Sequence, residues 1–178
     1  MHYVLHVKPS TSNYIVIGDS GKFLPSVYCK IYVMCFLNRL HHMESHRIPR
    51  QVYDEMVHLS AHGFNNWTTK VYEMVNTYNL DVNLHPELFK INCKKVVLDN
   101  FLDLWYRSVS DIVQNPILRT YTEIKLDFEM SPHLYMIKNA RFRVAMTKLR
   151  ASSHTLEIEK GRHYTVVEKR IDYAMRVM

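Results

Sequence analysis

Apolar positions recur along most of this chain at three- and four-residue spacing, the pattern of helices that bury one face. Val27, Ile31, Met34 and Asn38 keep that register over about 24–42. Tyr28 and Cys35 widen the apolar face almost all round, which marks a central helix. A second helix is expected from Pro49, a residue suited to a first helical turn, through Val52, Met56 and Leu59 to a stop at Gly63. Asn65 or Asn66 can cap a third that carries Trp67, Val71, Met74, Val75 and Tyr78. Residues 79–95 are polar and broken by Pro86, which reads as a loop with one short helical turn. The fourth helix has the clearest stripe: Leu98, Phe101, Leu102, Trp105, Val109, Ile112 and Val113 share a face that stops at Pro116. Asn115-Pro116 opens a fifth helix with Ile117, Tyr121, Ile124 and Phe128 inward. Ser131-Pro132 opens a sixth that runs into Arg150, with Phe142, Ala145, Met146 and Leu149 on its apolar face.

The two ends are less regular. Residues 3–7 and 14–17 are short β-prone pieces, read as a small hairpin or an ill-ordered start. Residues 154–160 alternate polar and apolar, so a strand or extended arm suits them as well as a helix. The pattern predicts an all-α protein, a single domain of about six helices over 18–165. An extension over 1–17 and a tail over 166–178 flank it, and the fourth helix and Leu24–Leu37 lie in the core.

Composition narrows the class without changing that picture. Hydrophobic residues make up 47% of the 178 and charged residues 22%, ordinary values that argue against wholesale disorder. Only four glycines and six prolines are present, too few for an all-β design with many tight turns. Three cysteines, Cys29, Cys35 and Cys93, are odd in number and lack paired spacing, which fits a reduced intracellular setting better than a disulfide scaffold. The N-terminus has no basic run followed by a long apolar run, so no signal peptide is expected. The most apolar window, Leu24–Leu37, includes Pro25 and Lys30 and is too short to cross a bilayer. No membrane association is expected.

Charge is where the sequence becomes informative. From 141 to 178 there are nine Lys/Arg against four Asp/Glu, which accounts for five of the chain's six net positive charges. Arg141, Arg143, Lys148, Arg150, Lys160 and Arg162 are the candidate nucleic-acid-binding residues, with His154, His163 and Tyr164 interleaved. Such a set suits phosphate contacts with some stacking. The bland alternative is a solvated helix face, since basic residues often merely flank an apolar stripe.

Other motifs do not reach chemistry. Gly18-Asp-Ser-Gly21 matches the core of the trypsin-like nucleophile signature, but Lys22-Phe23 stands where that family has Gly-Pro. A phosphate loop would need glycine at Val16 and Ser or Thr at Phe23, so a turn leading into the first helix is the reading. His58 and His62 are four apart, but Leu59 replaces the glutamate of a zinc-protease motif and no third ligand is evident. His41, His42 and His46 lie near Glu44 without cysteine or fixed spacing, and read as solvated histidines. The carboxylates Asp54-Glu55, Asp127 with Glu129, and Glu157 with Glu159 carry no mark of catalysis. Cys29 and Cys35 read as core fillers. No catalytic residue, metal site or cofactor is expected.

Leu118-Arg-Thr-Tyr121, the Phe128 segment, Asn139-x-Arg141 and Leu149-Arg150-x-Ser-Ser-His154-x-Leu156-Glu-Ile-Glu159-x-Gly161-Arg162 form one run. It resembles the region C-terminal to the polymerase in non-LTR retrotransposon-like reverse transcriptases of marine invertebrates. Gly18-x-x-Gly21-Lys-Phe and the aromatic-rich helix ending near Asn38-Arg-Leu40 are similar to an upstream part of that region, with Trp67 and Trp105 between. The resemblance implies a piece outside the polymerase and endonuclease cores, without catalytic residues. In the relatives a stretch like Val167-Glu-Lys-Arg170 leads into a Cys/His-rich, zinc-binding element. Here residues 171–178 follow without a cysteine, so the chain departs from the family where its metal site would start.

The expected function is therefore a non-enzymatic nucleic-acid-binding or accessory fragment of a reverse transcriptase, taking RNA or DNA with little regard to sequence. The alternatives are a structural or protein-interaction helical module, and a non-functional remnant of a decayed element.

Overall fold

A side chain that can replace a missing backbone partner fixes where several of these helices begin. Asn66 accepts from Thr68 N at 2.9 Å and from Thr69 N at 3.3 Å, while Thr69 Oγ1 accepts from Asn66 N, so the box is closed in both directions. Ser12 and Asn139 each accept a single bond, from Tyr14 N and from Arg141 N. The computed structural model describes residue 5, residues 11–111 and residues 118–151.

Every multi-residue element among the described residues is a helix, as the periodicity predicts. They are α1 (Asn13–Ser20), α2 (Pro25–His41), α3 (Ile48–Ala61), α4 (Trp67–Thr77), α5 (Pro86–Ser110), α6 (Arg119–Ile124), α7 (His133–Met136) and α8 (Ala140–Arg150). The chain divides into two compact units, one of residues 23–106 and one of residues 1–22 with 107–178.

In the unit of residues 23–106, α2, α3 and α4 pack against one another. Val27, Ile31, Met34, Leu37 and Leu40 of α2 join Tyr53 of α3, Val71 and Val75 of α4, and Phe89, Cys93 and Val97 of α5 in one core. The expected register of α2 is thus observed, but its face is one-sided: Tyr32 is 70% exposed and Phe36 49%. Asn38, fully buried on that face, donates through Nδ2 to Val82 O at 2.8 Å and Leu84 O at 2.9 Å. It thereby pins the connection between α4 and α5 to the core. The expected loop over 79–95 ends early, because Pro86 starts α5 rather than interrupting it; its missing N–H is not needed in a first helical turn. Ile112, Val113, Asn115, Pro116 and Ile117 lie outside the described residues.

The other unit corrects the expected hairpin. Residues 14–17 form part of α1, where Ile15, Val16 and Ile17 are buried, and the Ser12 cap favours a helix over a strand. Residues 3–7 lie outside the description except Leu5, which is helical and buried. Gly21 closes α1 with φ 59°, and a Cβ there would stand 2.4 Å from Met130 N. Glycine is therefore required both for the left-handed turn and for the close approach. Tyr121 is buried as expected, but Ile124 is 47% exposed because α6 ends there and Lys125 turns inward instead. Lys125 Nζ donates to Asp127 Oδ1 at 2.9 Å and to Glu129 O. This closes the 125–130 loop and holds the Asp127 carboxyl below its usual range. The single sixth helix is two, α7 and α8, because Asn139 caps a new start.

Asn38→Ala should lower stability by roughly 1–3 kcal/mol, since two half-buried carbonyls lose their donor. Urea unfolding should show a lower midpoint at unchanged slope. An unshifted midpoint would mean that Asn38 does not hold the connection.

Candidate functional site

The helix that carries most of the candidate residues lies the opposite way round from its hydrophobic pattern. On α8, Phe142 is 68% exposed, Leu149 51% and Met146 40%, and Ala145 is exposed too. The residue it buries is Thr147, with Val144, Arg143 and Arg150 half-buried and Ala151 buried just beyond. The apolar face read from the sequence is turned largely to solvent.

The cause is a polar anchor within the same unit. Asp19, in the last turn of α1, is fully buried. Its Oδ1 accepts from Ser131 Oγ at 2.7 Å, Arg150 Nη2 at 3.2 Å and Tyr121 OH at 3.3 Å, and its main-chain oxygen accepts from Ser131 N at 2.9 Å. Arg150 also reaches Ser131 Oγ at 3.4 Å. A buried carboxylate is tolerable only when paired and hydrogen-bonded, so Arg150 has to point inward. Beside this cluster Thr147 Oγ1 donates to Arg143 O at 3.0 Å, which leaves Nε2–H of His133 as the donor to Thr147, also at 3.0 Å. Burial, and then the negative charge of Asp19, pushes the Tyr121 phenol up. Burial also pushes the His133 imidazole below its ordinary value, against the opposing pull of Asp19.

The six basic candidates therefore separate. Arg150 is withdrawn from any phosphate face, since its guanidinium forms the buried pair with Asp19. Arg143 is half-buried and its Nη1 lies 3.5 Å from both Leu134 O and Ile137 O, at the end of α7. Arg141 is exposed and Lys148 half-buried; seven residues apart on α8, they form a basic stripe beside the apolar one. Lys160 and Arg162 lie outside the described residues, as do His154, His163, Tyr164, Glu157 and Glu159.

The remaining motifs have simple places. Gly18-Asp-Ser-Gly21 is the end of α1 and its glycine stop rather than a lead into the next helix, and its aspartate is the residue whose role the sequence hid. The His58 and His62 rings lie 4.4 Å apart, but His62 Nδ1 is 2.9 Å from His58 O. Among the described residues no three His, Cys, Asp or Glu side chains gather as a metal site would require, and no helix is long and apolar enough to cross a membrane.

Arg150→Ala should cost roughly 3–5 kcal/mol, because it strands a buried carboxylate. Replacing the pair together, Asp19→Asn with Arg150→Met, should cost less than Arg150→Ala alone, as read by urea unfolding. Equal losses would show that the pair is not the anchor. Stability should also fall as pH drops. The folded value of His133 lies below the unfolded 6.5, so the unfolded chain binds the proton first and stability present above about 6.5 is lost below it. His133→Gln should flatten that decline in unfolding curves taken from neutral to mildly acidic pH.

No protein-family model, curated protein or solved structure matches this chain.

Proposed function

We propose that this chain is a non-catalytic, nucleic-acid-binding accessory module of the reverse-transcriptase type its sequence resembles, and that α8 is its contact face. The observation that carries the reading is the pair of adjacent stripes on α8. Arg141 and Lys148 supply positive charge, and the Phe142 ring, 68% exposed, supplies a surface on which a base can stack. An exposed ring beside cations favours single strands, whose bases are unstacked and within reach, over a duplex.

The geometry also sets the size of the effect. With Arg150 paired inside and Arg143 turned toward α7, the described part of the face offers two cations. Two phosphate contacts on a single strand give a log–log salt slope of about −1.4. A steeper slope would call for cations beyond these two.

A second reading rests on Met146 and Leu149, which no phosphate contact needs. Their exposure next to Phe142 suits the apolar face of a protein segment, with Arg141 and Lys148 matching acidic residues at its edge.

Fluorescence anisotropy of the full chain against labelled single-stranded RNA and duplex DNA, across a salt series, separates the two. Salt-dependent binding to the single strand should weaken on Phe142→Ala by roughly 1–3 kcal/mol. It should lose about 1.4 units of slope on Arg141→Ala with Lys148→Ala. Absence of salt-dependent binding to either probe would overturn the nucleic-acid reading and leave the protein segment as the partner to seek.

A further inference from the structure

The α8 contact uses no residue of the unit 23–106, yet that unit carries an outward aromatic face of its own. On α2, Tyr28, Tyr32 and Phe36 stand four residues apart, so about 6 Å of helix rise separates successive rings along one side. Tyr32 is 70% exposed, Phe36 49% and Tyr28 41%. Every exposed large hydrophobic side chain of α2 is aromatic, whereas α8 exposes Met146 and Leu149 beside its ring. Two of the three rings are braced from the side: Phe23 meets Tyr28 edge-on at 6.3 Å, and Trp67 of α4 meets Phe36 at 5.9 Å. A ring already held in place loses little freedom when something stacks on it.

That face runs into positive charge. Arg39 follows Tyr32 by two turns and Phe36 by three residues, so it lies on the same side of α2, and it is exposed. It lines a cleft of about 290 Å³ together with His42, Met43, Glu44, Arg47 and Pro86. Among the described residues Arg39 makes no hydrogen bond or ion pair. Arg47 meets Glu44 at 3.9 Å with both side chains well exposed, a screened contact that leaves most of its donors for another acceptor. His42 is a wall rather than a donor, since its Nδ1 lies 3.0 Å from Asn38 O and its Nε2 3.3 Å from Asn83 O. Two guanidinium groups against one carboxylate leave the cleft positive.

We propose that the outward face of α2 is a second seat for single-stranded nucleic acid, with bases stacked on Tyr32 and Phe36 and phosphates held by Arg39 and Arg47 in the cleft beyond them. It shares the ligand class of the α8 reading and rests on none of its residues. Stacking accounts for a face that is aromatic throughout, because every base offers a π surface to a ring. A face that docks a protein segment gains from aliphatic side chains as well, and α2 exposes none of the large ones. A duplex keeps its base faces covered, so this seat takes single strands.

The test is fluorescence anisotropy of the full chain against a labelled oligouridylate, with the α8 stripe removed by Arg141→Ala, Phe142→Ala and Lys148→Ala. The expected result is residual binding with a log–log salt slope of about −1.4, the value for two phosphate contacts on a single strand. Adding Tyr32→Ala or Tyr32→Leu should weaken it roughly 5-fold or more, while Tyr32→Phe retains it. Adding Arg39→Ala with Arg47→Ala should remove the slope. Residual binding that is absent, or indifferent to Tyr32 and the two arginines, would overturn the α2 seat and leave the α8 reading standing if Phe142→Ala alone still weakens the chain. Binding that ignores the α8 changes and follows Tyr32 would do the reverse. A labelled polyglutamate bound with the same Tyr32 dependence, and no oligouridylate bound, would assign the face to an acidic protein segment instead. Ultraviolet cross-linking of the unaltered chain to the oligouridylate needs no variant to fold: peptide mapping should find uridine on Tyr32 or Phe36, and cross-links confined to other segments would count against the proposal.

Discussion

A carboxylate with no exposure to water sets the terms for the unit that contains α1, α6, α7 and α8. Asp19 cannot be solvated, so it draws a hydroxyl from Ser131, a phenol from Tyr121 and a guanidinium from Arg150, all onto one oxygen. Those donors come from residues more than a hundred positions further along the chain, which makes the cluster a tie between distant segments. Gly21 permits the same meeting from the backbone side, because any side chain there would collide with Met130 N. Among the described residues the second carboxylate oxygen and Arg150 Nε have no hydrogen-bond partner. Turning α8 away would leave the Asp19 carboxylate buried without its cation, which is costly.

This explains which parts of the fold were legible in the sequence. A clean stripe or a clear cap could be read from the sequence: α2 buries Val27, Ile31 and Met34, and α4 starts at the Asn66 cap. Asn38 looked like one more member of an apolar register, and it is buried there, but its amide binds two carbonyls over forty residues away. Periodicity locates a face and cannot reveal such partners. The failures come from tertiary demands that local pattern does not contain. Pro86 reads as a breaker until its position as a first helical residue is known, and residues 14–17 read as a strand until Ser12 is seen to cap them.

The candidate site shows the same limit in sharper form. Charge clustering drew attention to α8, where Arg141 is exposed and Lys148 half-buried. Arg150 shared their composition and spacing, yet it belongs to the interior because Asp19 is there. Nothing within the helix distinguishes the three; the difference lies in a residue 131 positions away. Asp19 was itself hidden inside a Gly-Asp-Ser-Gly turn, where a polar residue is the ordinary expectation.

The exposed stripe on α8 follows from a contest between two terms of similar size. Burying side chains such as Phe142, Met146 and Leu149 would stabilise by roughly 1.5–3 kcal/mol each if complete, and by less for partial cover. Turning the helix to do so would pull Arg150 from Asp19 and Thr147 from His133, and stranding the carboxylate alone costs roughly 3–5 kcal/mol. The anchor therefore holds the helix with its apolar side outward, and the uncovered stripe remains a reservoir of binding energy. A partner that covers it gains the burial without breaking the pair. In the proposed contact, stacking on Phe142 or packing along Met146 and Leu149 would draw on that reservoir, and Arg141 and Lys148 would favour negative charge at its edge. The proposed contact through α8 would thus depend on Asp19, a buried residue that no ligand could touch.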